Sequence, residues 1–509
     1  MKPDCILFYG NATQPGNKYA GTFRIASELR INGYNVQTID LTAFDGFDDT
    51  LKEILKNLIT DKTLWIGIST TFLHSIFKFP YYRSQKTFDI RFSNNPNIDK
   101  QIKEFVNFVK EINPKTKLIA GGSRKFMLEQ FGFKVFKFYS DSEIIEFTKW
   151  CNGTNKKPRL DFFSNNIEGS EYEQFHTSQN IFTADDIIID NESMPLEVSR
   201  GCIFKCKFCS FPMNGKTKGD WVKKSPVLFD ELVRNYNELG ITQYTFSDDT
   251  YNDSVDKVKG LHDEVFSKLP FKINFTTYLR LDLLIRFPET VEYLVNSGLK
   301  SAVFGIETIN HESGKLIGKG LDPKIQFQFI EEIKKKEFKD IMTYSGFIMG
   351  LPKDTLDDLG EFEEFLFSDK NKLDFCIVNM LSIAPPAIGS VTRTAYSEFD
   401  IEYEKYGYEC FENIGNNPYT EIQWKNNKTG LSSEIVHEFS VKMNEKINKS
   451  EKFKLGGFAY PYFKSLGVSD HDLFSLSIPQ IYSKYKLKDL KWDRLSDYRN
   501  QLLNISSRP

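Results

Sequence analysis

From Cys5 onward, short apolar runs alternate with stretches in which apolar residues recur every three or four positions. The first period marks buried strands and the second marks amphipathic helices. Strands are expected at Cys5–Tyr9, Val36–Leu41, Leu64–Ser69, Lys117–Ala120 and Lys134–Phe138. Helices are expected at Tyr19–Asn32, Thr50–Ile59, Ile98–Ile112 and Asp141–Trp150; in the first, Tyr19, Phe23, Ala26 and Leu29 share a face and Gly33 stops the run. Repeated strand–helix units predict a Rossmann-like, doubly wound parallel sheet, which binds ligands beyond the carboxyl ends of its strands.

Residues 152–190 lose this periodicity and read as a linker. The alternation resumes near Met194 with longer units: strands at Leu196–Ser199, Gln243–Phe246, Ile273–Thr277, Ala302–Ile306, Thr343–Ile348 and Phe375–Leu381, separated by helices such as Ser225–Leu239, Pro288–Ser297 and Thr355–Phe367. This pattern predicts an open, partial (β/α)6 barrel with its chemistry at the carboxyl ends of the strands. After Pro385-Pro386 the pattern becomes mainly helical, with helices expected at Ser432–Ile447 and Asp470–Tyr485. The whole chain is thus an α/β protein divided into 1–151, a linker 152–190, a barrel 191–390 and a helical C-terminal domain 391–509.

Composition narrows the function. The 509 residues carry 66 basic and 69 acidic side chains, a net charge of −3 that gives no general field for nucleic acid or an anionic membrane. No run is long and apolar enough to span a bilayer, and the start MKPDCILFYGN lacks a secretory pattern. Three of the seven cysteines crowd into one loop, so a metal site in a reducing cytoplasm is expected rather than a disulfide framework.

That loop is LEVSRGCIFKCKFCSF, with Cys202, Cys206 and Cys209 spaced C-x3-C-x2-C directly after a strand. Thiolates are the usual ligands of iron–sulfur clusters. Three of them on a four-iron cluster leave one iron open to a further ligand, as in other catalytic metal centres. Structural zinc closed by a distant His, and unliganded core thiols, are the competing readings; His176 and His262 lie at no finger-like spacing.

With the aromatic Phe208 before the last Cys, the motif resembles the signature of the radical S-adenosylmethionine (SAM) superfamily. The resemblance implies that the methionine moiety of SAM chelates the open iron. It further implies that one electron from the cluster cleaves the sulfonium to give a 5′-deoxyadenosyl radical, with an external reductant such as flavodoxin or ferredoxin. Further segments resemble the cobalamin-associated branch of that superfamily. FSDDTYN places Asp248 and Asp249 near the cofactor's ammonium, or in a turn. TTYLRLDLL places Arg280 near its carboxylate, or in an ordinary ion pair. FGIET offers Glu307 to the ribose, or as a structural carboxylate. GFIMGLPKDT offers Gly346, Ile348 and Gly350 to the adenine, with Asp354 as a helix cap.

The N-terminal domain resembles the cobalamin-binding domain of the same branch. GIST, AGGS and YSDSEII stand where that family has its cofactor turns, which marks Ser69, Gly121 and Gly122 as candidate cobalamin contacts. The first loop, YGNATQPGNKYAG, lacks D-x-H-x-x-G and supplies no lower-ligand His. The resemblance implies a 4Fe-4S cluster, SAM and cobalamin as cofactors, and a methyltransferase acting on an unactivated carbon. The alternatives are a radical enzyme without functional cobalamin, performing a rearrangement, dehydrogenation or cyclisation, and a non-catalytic iron–sulfur protein. No protein acid or base is required by the core step, and the substrate is not legible. His74 is expected to be a packed histidine, and the aromatic segment Lys454–Leu466 a core filler.

Overall fold

The structure, a computed structural model, describes residues 2–10, 14, 16–71, 98–122, 125–136, 140–154, 175–211, 213–386, 388, 395–412 and 422–508. His74, Ser123 and Tyr139 lie outside the described residues. The chain forms two units, Met1–Pro195 with Asp230–Ile241 and Leu487–Pro509, and Leu196–Phe229 with Thr242–Lys486.

In the first unit, β1 (Cys5–Tyr9), β2 (Val36–Asp40), β3 (Trp65–Ser69), β4 (Lys117–Gly121) and β5 (Lys134–Val135) form one parallel sheet in the order β2-β1-β3-β4-β5. Alternation along β1 explains the two cores. Ile6 and Phe8 face a cluster with Leu51 and Leu55 of helix Asp49–Leu58 and Phe105 and Val109 of helix Ile98–Ile112. Cys5 and Leu7 face another with Ala26 and Leu29 of helix Ala20–Ile31 and Ile144 and Phe147 of helix Glu143–Cys151. Both faces of the sheet are therefore covered, as in doubly wound folds.

The C-terminal helix Leu487–Ser506 belongs to this unit: Leu495, Tyr498 and Leu502 pack into the first core. Their spacing of three and four was available in the sequence. Arg494 donates to the Gly16 carbonyl (2.6 Å) and to Glu192 (3.1 Å), and Glu192 also takes Lys18 at 2.7 Å. Arg30 holds Asp186 through two bonds of 2.8 Å, so the end of the segment read as linker is fastened to this sheet.

The second unit contains β7 (Gln243–Phe246), β8 (Asn274–Leu279), β9 (Leu299–Glu307), β10 (Met342–Met349) and β11 (Phe375–Met380), paired in parallel, with β6 (Met194–Leu196) beyond β7. Strands in strictly sequential order with right-handed crossovers put every connecting helix on one face. Along β10, Thr343, Ser345, Phe347 and Met349 are buried, and Phe347 meets Phe362 of helix Leu356–Phe367 at 5.0 Å. Tyr344, Gly346 and Ile348 are half-buried on the opposite, concave face. Near the amino ends of the strands that face is filled by Gly456 and Gly457, with Ser301 donating to the Gly457 carbonyl (3.2 Å), while the Phe458 ring lies 4.9 Å from that of Tyr278 near the carboxyl end of β8. The aromatic segment thus fills the barrel floor.

Two readings of the C-terminal region change. It contains an antiparallel hairpin, β12 (Tyr408–Glu412) with β13 (Ile422–Asn426), besides helices Ser433–Lys449 and Ala459–Ser465. The helix expected over Asp470–Tyr485 is broken into Asp470–Ser475 and Ile478–Lys484, because Ser477 caps a new helix with Pro479 in its first turn. Among the described residues no helix is long and apolar enough to cross a membrane.

Asp40, at the end of β2, generates a stability prediction. One oxygen accepts from the Thr42 N–H (2.8 Å) and hydroxyl (2.7 Å), while the other is buried with no partner among the described residues. Burial pushes its carboxyl up to about 6, against the Thr42 bonds and the Lys18 and Arg494 charges. A raised carboxyl favours the folded state below its unfolded value near 3.8 and ceases to do so as pH rises through about 6. Stability should therefore decline across that window by up to roughly 3 kcal/mol. Asp40→Asn should remove this part of the slope in melts taken at stepped pH.

Candidate active site

The thiol loop leaves β6 at Ser199 and returns at Val222 through an antiparallel bridge. Gly201 turns it with φ 78°, and a Cβ there would meet the Met213 carbonyl at 2.8 Å, so no other residue fits. Backbone bonds close the loop: Cys202 N–H to Met213 O (3.1 Å), Gly215 N–H to Cys202 O (2.7 Å) and Cys209 N–H to Cys206 O (3.0 Å). Donors approach all three sulfurs, with the Phe211 N–H and the Asn214 amide at Cys209. Thr250 Oγ1 lies 3.3 Å from Cys202 Sγ, the Phe204 N–H 3.5 Å from the same sulfur, and Arg280 Nη1 3.5 Å from Cys206 Sγ. Such donors suit thiolates carrying negative charge. Among the described residues no group of three or more His, Cys, Asp and Glu side chains is arranged around a single ion. Three thiols on one loop, approached by a guanidinium and backbone donors, are the donor set an iron–sulfur cluster uses.

The candidate cofactor residues divide by what already occupies them. Asp248 is buried, accepts from Val198 N–H (3.0 Å) and the Ser199 hydroxyl, and is held above its ordinary pKa by burial while Lys257 opposes this. Its oxygens are used within the protein. Asp249 is half-buried, accepts from the Gly201 N–H, and is pushed to about 6 by burial and by neighbouring Asp248 and Glu197. Arg280 grips Asp282 through two bonds (2.8 and 2.6 Å), lies 3.9 Å over the Phe204 ring, and keeps its remaining nitrogen toward Cys206. The ion-pair alternative is therefore realised with Asp282. Phe208 is half-buried on the loop.

Glu307 ends β9 in an unusual way. Between Phe304 and Glu307 β9 contains one residue more than β10 spends between Ser345 and Phe347, a bulge that re-aims the strand end. Glu307 itself has φ 71°, a left-handed conformation that non-glycine residues adopt at a cost. Lys319, which the sequence reading did not select, lies 3.3 Å from the Glu307 carboxylate and donates to the Gly305 carbonyl at 2.8 Å.

The glycines on β10 and just past its end differ. A Cβ on Gly346 would find ordinary contacts of 3.6 Å or more, so the concave face is open there, beside Ile348 and its register partner Asn379. A Cβ on Gly350 (φ 84°) would sit 2.5 Å from the Trp424 ring, so this glycine serves packing against the hairpin. Trp424 Nε1 donates to Leu381 O (2.8 Å) and the Tyr408 hydroxyl to Gly350 O (2.6 Å). Asp354 is not a helix cap. It accepts from Gly350 and Leu351 N–H at 3.1 and 2.9 Å, and Thr355 caps the helix.

In the first unit, Ser69 ends β3 and Gly121 ends β4, at the carboxyl edge beside the β1/β3 switch point. Thr70 N–H and hydroxyl bond to the Gly121 carbonyl (2.9 and 2.8 Å). Among the described residues nothing lies within 4 Å of a Cβ on Gly121, whereas one on Gly122 (φ 92°) would meet Thr71 N at 2.6 Å.

Residues 196–366 match the model of the Radical SAM superfamily. This segment is a radical SAM domain. The matched span runs from β6 through the helix after β10 and includes all three loop cysteines. An uncharacterized methyltransferase of Pyrococcus horikoshii is 28% identical over 196 residues, 38% of this chain and 39% of that protein. In fold, the chain resembles the radical SAM methyltransferase TsrM of Kitasatospora setae, solved with cobalamin and a [4Fe-4S] cluster (13% identity, 99% of each chain, TM-score 0.59). It also resembles the cobalamin-dependent SAM radical enzyme OxsB, solved with aqua-cobalamin and SAM (13% identity, 92% of this chain and 61% of that one, TM-score 0.53).

In the radical SAM domain, Gly350→Ala should destabilise by roughly 2–5 kcal/mol, from the left-handed backbone and the indole overlap together. Gly346→Ala should melt within about a degree of the parent. Thermal unfolding followed by circular dichroism separates the two.

Proposed function

We propose that the protein is a radical SAM enzyme that reductively cleaves SAM, and that it is a cobalamin-dependent methyltransferase acting on an unactivated carbon. The observation that carries the first part is the loop of Cys202, Cys206 and Cys209, with Arg280 and Thr250 aimed at its sulfurs, inside a matched radical SAM domain. When bound, a four-iron cluster would supply one electron to SAM and generate a 5′-deoxyadenosyl radical. The chain's own part is to hold and shield. Arg280 neutralises thiolate charge, the backbone-closed loop keeps the three sulfurs in register, and the filled barrel floor excludes water from below. Gly346, Ile348 and Glu307 on the concave face are assigned to the adenosyl group. Asp249 is the carboxylate assigned to the ammonium of the methionine moiety.

Methyl transfer is supported by the five-stranded β2-β1-β3-β4-β5 sheet, whose open position at Gly121 beside Ser69 would accept the edge of a cobalamin. A second reading, a radical enzyme without cobalamin, is favoured by one observation: the loop Tyr9–Gly21 contains no His. Seven free thiols and a metal centre of this kind suit a reducing cytoplasm.

After anaerobic reconstitution with iron, sulfide and cobalamin, the parent protein should form 5′-deoxyadenosine from SAM under strong reduction. Replacing all three loop cysteines by Ala should abolish it, and survival of the product would refute the assignment. Cobalamin retained through gel filtration, seen by its visible absorption, should fall in Gly121→Val while the fold persists. A parent that retains none refutes the methyl-transfer version.

A further inference from the structure

We propose that the surface beside the thiol loop docks a small acidic one-electron carrier protein, with Lys205, Lys218 and Lys224 steering it and Phe211 making the apolar contact. The inference rests on reading the loop as the cluster site.

The chain as a whole is slightly acidic, yet residues 203–224 contain six lysines against one aspartate, Asp220. Their surroundings sort them. Lys223 is buried, the half-buried Lys216 donates to the Arg200 and Asp220 carbonyls (2.8 and 2.9 Å), and Lys207 is engaged with the Tyr406 hydroxyl (2.9 Å) and Glu398 (3.4 Å). Lys205 and Lys224 are exposed, with no ion-pair partner among the described residues, and the stem of Lys205 crosses Gly215. Lys218 has only the highly exposed Asp256, 3.4 Å away, and such a surface pair is weak. Phe211 is 57% exposed two residues beyond Cys209. The excursion is closed on itself by the Ser199–Val222 bridge and the Cys202–Met213 bond, so Lys205, Phe211 and Lys218 stand on one small, pinned loop, with Lys224 two residues past its closure.

An exposed aromatic group among exposed cations that are at most weakly paired among the described residues, next to the thiols, is what a transient redox encounter requires. Such complexes bury little area and depend on charge complementarity for their rate. The transfer oxidises the carrier by one electron and reduces the metal centre by one; no covalent bond forms or breaks in it. Nucleic acid could be drawn by the same lysines, but an electron must reach these thiols from outside, and the net charge of −3 gives an extended polyanion no further footing.

The test uses the reconstituted full chain and compares two reductants, dithionite and reduced flavodoxin. Lys218→Glu/Lys224→Glu and, separately, Phe211→Ser should form 5′-deoxyadenosine with dithionite at the parent rate. With flavodoxin at about 0.05 M salt the charge-reversed protein should be at least roughly tenfold slower, and the gap should close near 0.5 M. Equal flavodoxin rates in parent and both variants would overturn the proposal. So would salt-sensitive binding of a single-stranded oligonucleotide by the parent that is lost in the charge-reversed protein. Failure of the parent with both reductants would instead sink the radical reading, and the docking surface with it.

Discussion

The second unit depends on one buried carboxylate. Asp248, just past β7, accepts from the Val198 N–H and the Ser199 hydroxyl, and so fastens the exit of β6 to the neighbouring strand. A carboxylate sealed from water must be satisfied within the protein, and removing its donors would be costly. Lys257 completes the arrangement, reaching Ser199 Oγ at 3.1 Å and Asp253 at 2.5 Å. Everything above this joint, from Gly201 through the thiols, is held in place by it. The next residue, Asp249, bonds the Gly201 N–H. Two adjacent aspartates thus divide the work, one fixing the strand exit and the other reaching the loop, as side chains on opposite sides of an extended backbone can.

The concave face carries its strain at one place. The bulge in β9 and the left-handed φ of Glu307 turn a carboxylate that would otherwise continue the strand's alternation, and Lys319 with the Gly305 carbonyl holds the turned state. Local strain of this kind persists only where surrounding contacts over-determine it, and it concentrates at working sites. Around it the face is half-exposed and mixed in polarity, with Tyr278, Gly346, Ile348 and Asn379.

Much of this was legible in the order of residues. Cys202, Cys206 and Cys209 marked a candidate metal loop by their spacing, and strand periodicity located β7 to β11 to within a few positions. What stayed hidden depends on three-dimensional pairing. Asp248 and Asp249 are neighbours in an acidic segment, and only the fold distinguishes the internal carboxylate from the one at the loop. Arg280 has Asp282 two residues away, yet the bidentate pairing needs a helix start between them. Gly346 and Gly350 read as equivalent because a glycine does not announce what replaces its side chain. The hairpin of β12 and β13 escaped because residues 413–421 break its pattern, and the C-terminal helix because its apolar stripe is sparse.

The indole of Trp424 occupying the space above Gly350 has a consequence for recombination. Two segments separated by more than seventy residues share one volume, so neither can be exchanged alone. A chimera that imports a foreign tail onto this barrel must bring an aromatic ring of matching reach or leave a void over the turn, and one that imports a foreign barrel must keep the glycine. The two positions have to be exchanged together, and the packing of the hairpin is tied through them to the strand ends beneath it.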